Sequence, residues 1–198
     1  MLPTPTQLTA IKAALFAACL IPLAQLGWLG WTDALGANPI EFITRHLGTW
    51  TLNFLLITLA VTPLRHLFPR QVWTRRLAQN RRYFGVASFA YALPHVLAYL
   101  IRKEEFALIA EEAAYPEIWT GWIAMAIFLP LALSSNNWSV RRMGRAWNHL
   151  HRFVHLAALL VFAHWVLSAF DPLTAYLHLA VLGVLETVRL WKTYGPRG

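Results

Sequence analysis

Charged residues are scarce in this sequence. Only 13% of its 198 residues are Asp, Glu, Lys or Arg, whereas 58% are hydrophobic. A soluble globular domain has about a quarter of its residues charged. The shortage therefore excludes a water-soluble globule and predicts an integral membrane protein. The basic residues behind the +8 formal charge lie between apolar runs, which suits a lipid bilayer with anionic headgroups and argues against a nucleic-acid partner.

Three further absences narrow the possibilities. The chain has one cysteine, Cys19, which excludes an intrachain disulfide, and its apolar neighbours predict a small buried side chain. No G-x-G-x-x-G segment is present, so a bound dinucleotide is not expected. No small-residue cleavage site follows the first apolar stretch, and we expect that stretch to be a retained helix, not a cleaved signal peptide.

Long apolar runs dominate what is present. A membrane-spanning helix needs about 20 mainly apolar residues, and six stretches approach that length. These are 11–31, 48–64, 83–101, 118–133, 150–170 and 173–190. No internal repeat or separate soluble region is evident. The sequence predicts an all-α integral membrane protein, in which residues 1–198 form a single domain and a six-helix transmembrane bundle.

Basic and acidic residues fall on opposite sides of the predicted spans. The basic side, which includes both termini, carries Lys12, Arg65, Arg70, Arg75, Arg76, Arg81, Arg82, Arg141, Arg142, Arg145, Arg189, Lys192 and Arg197. The other side carries Asp33, Glu41, Arg45, Glu104, Glu105, Glu111, Glu112, Glu117 and Asp171. Because basic loops remain in the cytoplasm, the sequence predicts that both termini are cytoplasmic.

Eight histidines are the unusual feature, because a polar ring inside a bilayer is costly and is often functional. Those in loops or at interfaces are expected to be solvated: His46, His66 and His149. His178 lies in the sixth span, where a hydrogen bond to a neighbouring helix is expected. The four that remain as candidate site residues are His95, His151, His155 and His164.

His95 and His164 are predicted to lie at one depth. Each precedes the end of its span by six residues. Both spans run outward, so each ring lies about 9 Å inside the outer boundary. Two imidazoles at one level can hold a b-type haem in a helix bundle. The sequence lacks a C-x-x-C-H motif, so such a haem would not be covalently attached. The same pair could instead form a proton relay or bind a metal ion.

A second, inner site is less complete. His151 precedes His164 by about 20 Å of helix, but the two rings would point about 140° apart, which a π-bulge would correct. His155 is one turn from His151 on the same face, so it is an alternative inner ligand. The equivalent place on the third span holds Arg81, which with Arg82 could bind haem propionates or a phosphate.

Two sets of motifs resemble a known family. The segment RRYFG at 81–85, followed by His95, resembles the ferric-reductase-like transmembrane domain. The run RAWNHLHRFVH at 145–155, followed by His164, is more specifically similar to the MsrQ family. Those proteins are the haem-binding membrane subunits of bacterial methionine sulfoxide reductase systems. The resemblance also includes TLAVTPL at 58–64 and covers nearly the whole chain.

The resemblance implies an electron carrier of the bacterial inner membrane with one or two b-type haems and FMN. It implies that His95, His151 and His164 bind haem, whereas His155 matches no histidine expected in the family. Electrons would come from the quinone pool or a cytoplasmic flavin reductase. They would pass to MsrP, a periplasmic molybdopterin enzyme that reduces methionine sulfoxide in oxidised proteins. That chemistry would occur in the partner, with no catalytic residue in this chain.

Two other classes of function remain compatible with the residues alone. One is a proton channel or transporter that uses the histidines as a relay and binds no haem. The other is an assembly or scaffold protein. A haem protein would show Soret and α/β absorption bands in detergent, whereas either alternative would be colourless.

Overall fold

The computed structural model describes residues 5–103, 105–168 and 173–194, in which helices are joined by short turns and no strand occurs. The helices are α1 Pro5–Trp31, α2 Pro39–Leu67, α3 Val72–Lys103, α4 Phe106–Glu112, α5 Pro116–Leu133, α6 Asn137–Met143, α7 Arg145–Arg152, α8 Val154–Ser168 and α9 Leu173–Tyr194. This confirms the predicted all-α fold. The predicted end of the fifth span at 170, and the charges of Glu104, Asp171 and Arg197, lie outside the described residues.

Six segments are long and apolar enough to cross a membrane: α1, α2, α3, α5, the α7–α8 pair and α9. The chain is therefore a multi-pass membrane protein with the predicted number of spans. Several helices extend beyond the predicted apolar windows. The start of α2 is set by Asn38, whose side chain accepts a hydrogen bond from the Glu41 backbone N–H at 3.3 Å, and by Pro39 in the first turn.

Two short helices, α4 and α6, lie between the spans and were not predicted. Asn136 caps the start of α6 by accepting a hydrogen bond from the Ser139 N–H at 2.8 Å. Gly144 then separates α6 from α7 with φ of +53°, a left-handed conformation that a side chain would disfavour. This turn brings the chain back to the bundle at the start of the fifth span.

The bundle is built around α2, which packs along α3 and also contacts α9, while α5 packs on α8. Leucines of α2 form the centre of the apolar core together with Phe128 of α5, Phe162 of α8 and Leu182 of α9. The Ser88 hydroxyl of α3 donates to the Thr51 carbonyl oxygen of α2 at 2.8 Å within this interface. The core therefore fixes the relative positions of α2, α3, α5 and α8, the four helices around the candidate site.

Helix α1 is mostly exposed, and Tyr91 of α3 is one of the side chains that anchor it. The buried Tyr91 hydroxyl donates to the Cys19 carbonyl oxygen at 2.7 Å and accepts from the Leu23 N–H at 3.2 Å. In an uninterrupted helix these two backbone groups would bond to each other. The Tyr91 hydroxyl therefore replaces this backbone hydrogen bond and links the two groups across an interruption of α1. The interruption lies beside Pro22, which has no backbone N–H of its own. Cys19 is buried and unpaired, as expected.

The fifth span is interrupted at Phe153, between α7 and α8. The Phe153 N–H donates to the Leu150 carbonyl oxygen at 3.1 Å, three residues back. No π-turn occurs in the described part of this span, so the suggested π-bulge is wrong. A three-residue turn overwinds the chain by roughly 60°. This extra rotation turns the His151 side chain towards the side of the span that carries His164. A π-turn would rotate the chain in the opposite sense, because it underwinds the helix.

Candidate functional site

His95 of α3 and His164 of α8 come together between α2 and α5, in the half of the bundle that lies towards the acidic loops. Their ring centroids are 6.1 Å apart and their planes are inclined at 83°. Both side chains are partly buried. The structure thus brings together the two histidines that the sequence placed at one depth.

Each ring is held by a backbone carbonyl of a neighbouring helix. Nδ1 of His95 donates to the Thr44 carbonyl oxygen of α2 at 2.8 Å, and Nδ1 of His164 donates to the Glu117 carbonyl oxygen of α5. A carbonyl oxygen can only accept, so both Nδ1 atoms carry the proton and Nε2 of each neutral ring keeps its lone pair. Histidines that bind metals are commonly oriented in this way, with the second ring nitrogen donating to a carbonyl.

A glycine lies one turn after each of these carbonyls. A Cβ atom at Gly48 would lie 3.0 Å from both Nδ1 and Cε1 of His95. A Cβ atom at Gly121 would lie 3.0 Å from Nδ1 and 3.1 Å from Cε1 of His164. Each histidine therefore packs on its neighbouring helix in the same way. Its ring donates to a backbone carbonyl oxygen and lies against the glycine four residues further along that helix.

The spacing of the pair fits two imidazoles on one metal ion. An imidazole nitrogen binds such an ion at about 2 Å, and the ring centroid lies roughly 1 Å further back, so opposed rings have centroids roughly 6 Å apart. The observed separation is 6.1 Å. The described residues contain no group of three or more His, Cys, Asp or Glu side chains that could enclose a metal. The remaining coordination positions would suit a macrocycle such as haem.

His151 occupies the basic end of the same bundle. Its ring stacks on Trp147 with centroids 3.8 Å apart, and Nε2 lies 3.0 Å from the Ser134 hydroxyl at the end of α5. The Trp147 indole N–H donates to the Ser134 carbonyl oxygen at 2.9 Å. His151 and His164 therefore both face α5, at opposite ends of that helix. Sequence reasoning missed Ser134 and Trp147 as partners of the inner histidine.

His155 does not share the face of His151. Its Nδ1 donates to Glu186 Oε1 of α9 at 3.1 Å, and its Nε2 accepts from Arg189 of the same helix. Arg189 also pairs with Glu186 at 2.8 Å. The expectation of a shared face is wrong because the break at Phe153 lies between the two histidines. Both ring nitrogens of His155 are already engaged in this contact between α8 and α9.

Arg81 and Arg82 lie in the first third of α3, within electrostatic range of His151. Arg82 donates to the Asn137 side-chain oxygen at 2.8 Å and thereby ties α3 to α6. It also lines an open cleft of about 440 Å³, together with Lys12 and several amide side chains. Both arginines therefore lie at the same end of the bundle as His151.

The other histidines have ordinary structural surroundings. His178 Nε2 lies 3.2 Å from the Asn53 side-chain oxygen of α2, which is the helix-to-helix hydrogen bond that was expected. His46 is not solvated as expected, because it is partly buried and its Nε2 donates to the Pro22 carbonyl oxygen at 3.1 Å. His66 and His149 are exposed, in agreement with their predicted positions.

Comparison with known proteins places these features in a family context. Residues 46–163 match the family described as ferric reductase like transmembrane component. This segment contains His95 and His151 and ends one residue before His164. No solved structure matches the chain significantly.

Three curated relatives are named protein-methionine-sulfoxide reductase heme-binding subunit MsrQ. The protein from Azospira oryzae is 41% identical over 96% of this chain and 87% of its own length. The protein from Herminiimonas arsenicoxydans is 43% identical over 84% of this chain and 77% of its own length. The protein from Xanthomonas euvesicatoria is 38% identical over 100% of this chain and 93% of its own length.

Proposed function

This chain belongs to the ferric reductase-like transmembrane family, and we propose that it binds b-type haem within the bilayer and passes electrons to a methionine sulfoxide reductase. Haem binding and the reductase system are proposed because the relatives are named as heme-binding subunits of protein-methionine-sulfoxide reductase. The observation that carries the proposal is the His95–His164 pair, with its 6.1 Å separation. The reduction of methionine sulfoxide belongs to the partner, for which MsrP is our candidate.

His95 and His164 are the residues that would hold one haem, through their Nε2 atoms. The carbonyl oxygens of Thr44 and Glu117 hold the two rings in the tautomer that leaves each Nε2 lone pair available. A b-type haem held by these two histidines would supply one-electron chemistry suited to electron transfer. A proton relay is less well supported, because a relay must exchange protons at both ring nitrogens and a carbonyl can neither supply nor take one.

His151 is the proposed ligand of a second haem at the basic end. Arg81 and Arg82, which act electrostatically on this histidine, would bind propionate groups through charge-assisted hydrogen bonds. His155 is assigned a structural role, because Glu186 and Arg189 occupy both of its ring nitrogens. The two sites would lie at opposite ends of α5.

The electron donor is placed at the basic end and the partner at the acidic end. By the charge asymmetry of the loops, the basic end faces the cytoplasm of a bacterial inner membrane. The donor would be quinol or a cytoplasmic flavin reductase, because the sequence carries no nucleotide-binding segment of its own. If FMN is bound, the cleft that contains Lys12 and Arg82 offers two cations for its phosphate.

Absorption spectra of the purified full chain in detergent test this proposal. We expect Soret and α/β bands, and the pyridine haemochrome assay will give the number of haems per chain. His95→Ala and His164→Ala should each remove the low-spin signal of the outer site. His178→Ala is the matched control, because that histidine is also in a span but is bonded to Asn53.

Two results would count against the proposal in different ways. A colourless wild-type protein after expression with ample haem would refute haem binding itself. Coloured His95→Ala and His164→Ala proteins with full haem content and an unchanged low-spin spectrum would leave haem binding intact and refute the ligand assignment.

A further inference from the structure

A second open cleft, of about 410 Å³, lies at the basic end between α2, α7, α8 and α9. Its polar lining consists of Thr62, Arg152, His155, Arg189, Thr193 and Tyr194. We propose that this cleft binds the phosphate group of an anionic phospholipid. The proposal does not rest on haem binding, because none of the histidines proposed to hold haem lines this cleft.

The cleft has an excess of positive charge. Arg189 is neutralised by Glu186, 2.8 Å away, which also contacts His155. Arg152 has no ion-pair partner among the described residues, and none of the described residues that line the cleft is acidic. A guanidinium group matches a phosphate in shape and charge and binds it through paired hydrogen bonds. Arg152 is therefore the charge that remains available for an anion.

The depth of the cleft matches the lipid headgroups. Thr62 and Arg189 each precede the end of their helix by five residues, or about 7.5 Å. At the end of α9, Trp191 is 60% exposed and Tyr194 is 82% exposed. The Lys192 ammonium nitrogen lies 4.6 Å from the Trp191 ring centroid. Exposed aromatic and basic side chains of this kind mark the membrane interface.

The remaining polar groups suit a phosphate diester. The Thr193 hydroxyl already donates to the Arg189 carbonyl oxygen at 2.7 Å. Thr62 and Tyr194 therefore remain as hydroxyl donors beside Arg152. Basic clefts between transmembrane helices on the cytoplasmic side are favourable sites for anionic lipid headgroups. The volume of about 410 Å³ is within the range of small-ligand sites.

Thermal unfolding of the full-length, delipidated protein in a neutral detergent tests the cleft. Phosphatidylglycerol, phosphatidylcholine and inorganic phosphate would be titrated separately, and the apparent affinity taken from the rise in unfolding midpoint. We expect stabilisation by phosphatidylglycerol alone. Arg152→Gln should weaken it roughly tenfold, as expected for the loss of one charge-assisted contact. Arg145→Gln is the control, because it removes the same charge from the same helix outside the cleft.

Thr62→Val provides a second variant that leaves the charge of the cleft unchanged. It should weaken phosphatidylglycerol binding by a smaller factor than Arg152→Gln does, and it keeps the test valid if Arg152→Gln fails to fold. Equal responses to phosphatidylglycerol and phosphatidylcholine would overturn the proposal, as would equal losses in Arg152→Gln and Arg145→Gln. Equal stabilisation by inorganic phosphate would show a site for free phosphate and overturn the lipid assignment.

Discussion

The two ends of the bundle hold their histidines by different means. At the acidic end, His95 and His164 each donate Nδ1–H to a backbone carbonyl of a neighbouring helix. At the basic end, His151 meets the Ser134 hydroxyl and His155 meets a Glu–Arg pair. A carbonyl inside a helix is fixed by the backbone, whereas these side-chain partners can rotate or change protonation. The rings of His95 and His164 are therefore held more firmly than those of the two histidines at the basic end.

This difference also shows why a histidine count does not identify ligands. His155 is close in sequence to His151 and was a reasonable alternative to it, yet both of its ring nitrogens are engaged by α9. The outer histidines each keep one ring nitrogen without a hydrogen bond among the described residues. His95 and His164 differ from His155 in two respects: each keeps a ring nitrogen free among the described residues, and each faces a second histidine, with ring centroids 6.1 Å apart.

The largest expected effect is the loss of electron delivery from the outer site. In membranes that contain the reductase partner, His95→Ala or His164→Ala should lower reductant-dependent methionine sulfoxide reduction on the order of 100-fold or more, because a ligand contributes at least as much as its supporting hydrogen bonds. His178→Ala should remain near the wild-type rate. Rates within threefold of wild type in both outer variants would contradict a role for this pair in electron transfer.

The next effect compares the two inner histidines. His151→Ala should lower haem content or shift its reduction potential more than His155→Ala does. His155→Ala should instead lower thermal stability, because Glu186 and Arg189 lose a partly buried hydrogen-bond partner, at a cost of about 1 kcal/mol. Haem content by pyridine haemochrome and the unfolding midpoint would be measured on the same samples. A greater loss of haem in His155→Ala would reverse the assignment of the inner site.

A smaller effect is expected at the two glycines of the outer site. Alanine normally stabilises a helix by about 1 kcal/mol relative to glycine. At Gly48 and Gly121, however, the added Cβ would lie 3.0 Å from a histidine ring atom. Gly48→Ala and Gly121→Ala should therefore tilt the rings and change the electron paramagnetic resonance g-values and the potential of the outer haem. Gly183→Ala is the control, since its Cβ would meet nothing within 4 Å.

If Gly48→Ala and Gly121→Ala left both the g-values and the potential at their wild-type values, the glycines could not be positioning the rings. A change of similar size in Gly183→Ala would point to a general effect of helix stiffening. The basic end differs in this respect, because a Cβ atom at Gly144, the glycine between Ser134 and His151 in the sequence, would meet nothing within 4 Å.

The parts of the fold that could be predicted are those that depend on local composition or helix geometry. The six spans follow from apolar length, and the meeting of His95 and His164 follows from equal distances along two parallel helices. The break at Phe153 could not be predicted, because no proline or glycine marks it. The carbonyls of Thr44 and Glu117 carry no side-chain signal. Gly48 and Gly121, each at or near the start of an apolar span, were the available clue.

The smallest predicted effect concerns the acidic end and Glu112 of α4, which lies outside the spans. Lys103 donates to Glu112 Oε1, and the Tyr99 hydroxyl donates to Oε2 at 3.0 Å, so this carboxylate fastens α4 to the end of α3. The hydrogen bond from Lys103 is the main reason that the pKa of Glu112 is lowered from its ordinary value of 4.5. A carboxyl group with a lowered pKa adds stability above its unfolded-state pKa, and that contribution is lost as the pH falls through the folded-state pKa.

We therefore expect the stability difference between wild type and Glu112→Gln to be constant at neutral pH and to shrink as the pH falls below 4.5. Because a pair near the surface is screened by solvent, the difference should be less than about 1 kcal/mol. Unfolding midpoints of the two proteins would be compared across this range. Glu111→Gln is the control, since that neighbouring side chain is exposed. If Glu111→Gln changed the pH dependence as much as Glu112→Gln did, the effect would belong to the net charge of the acidic end and not to the contact that fastens α4.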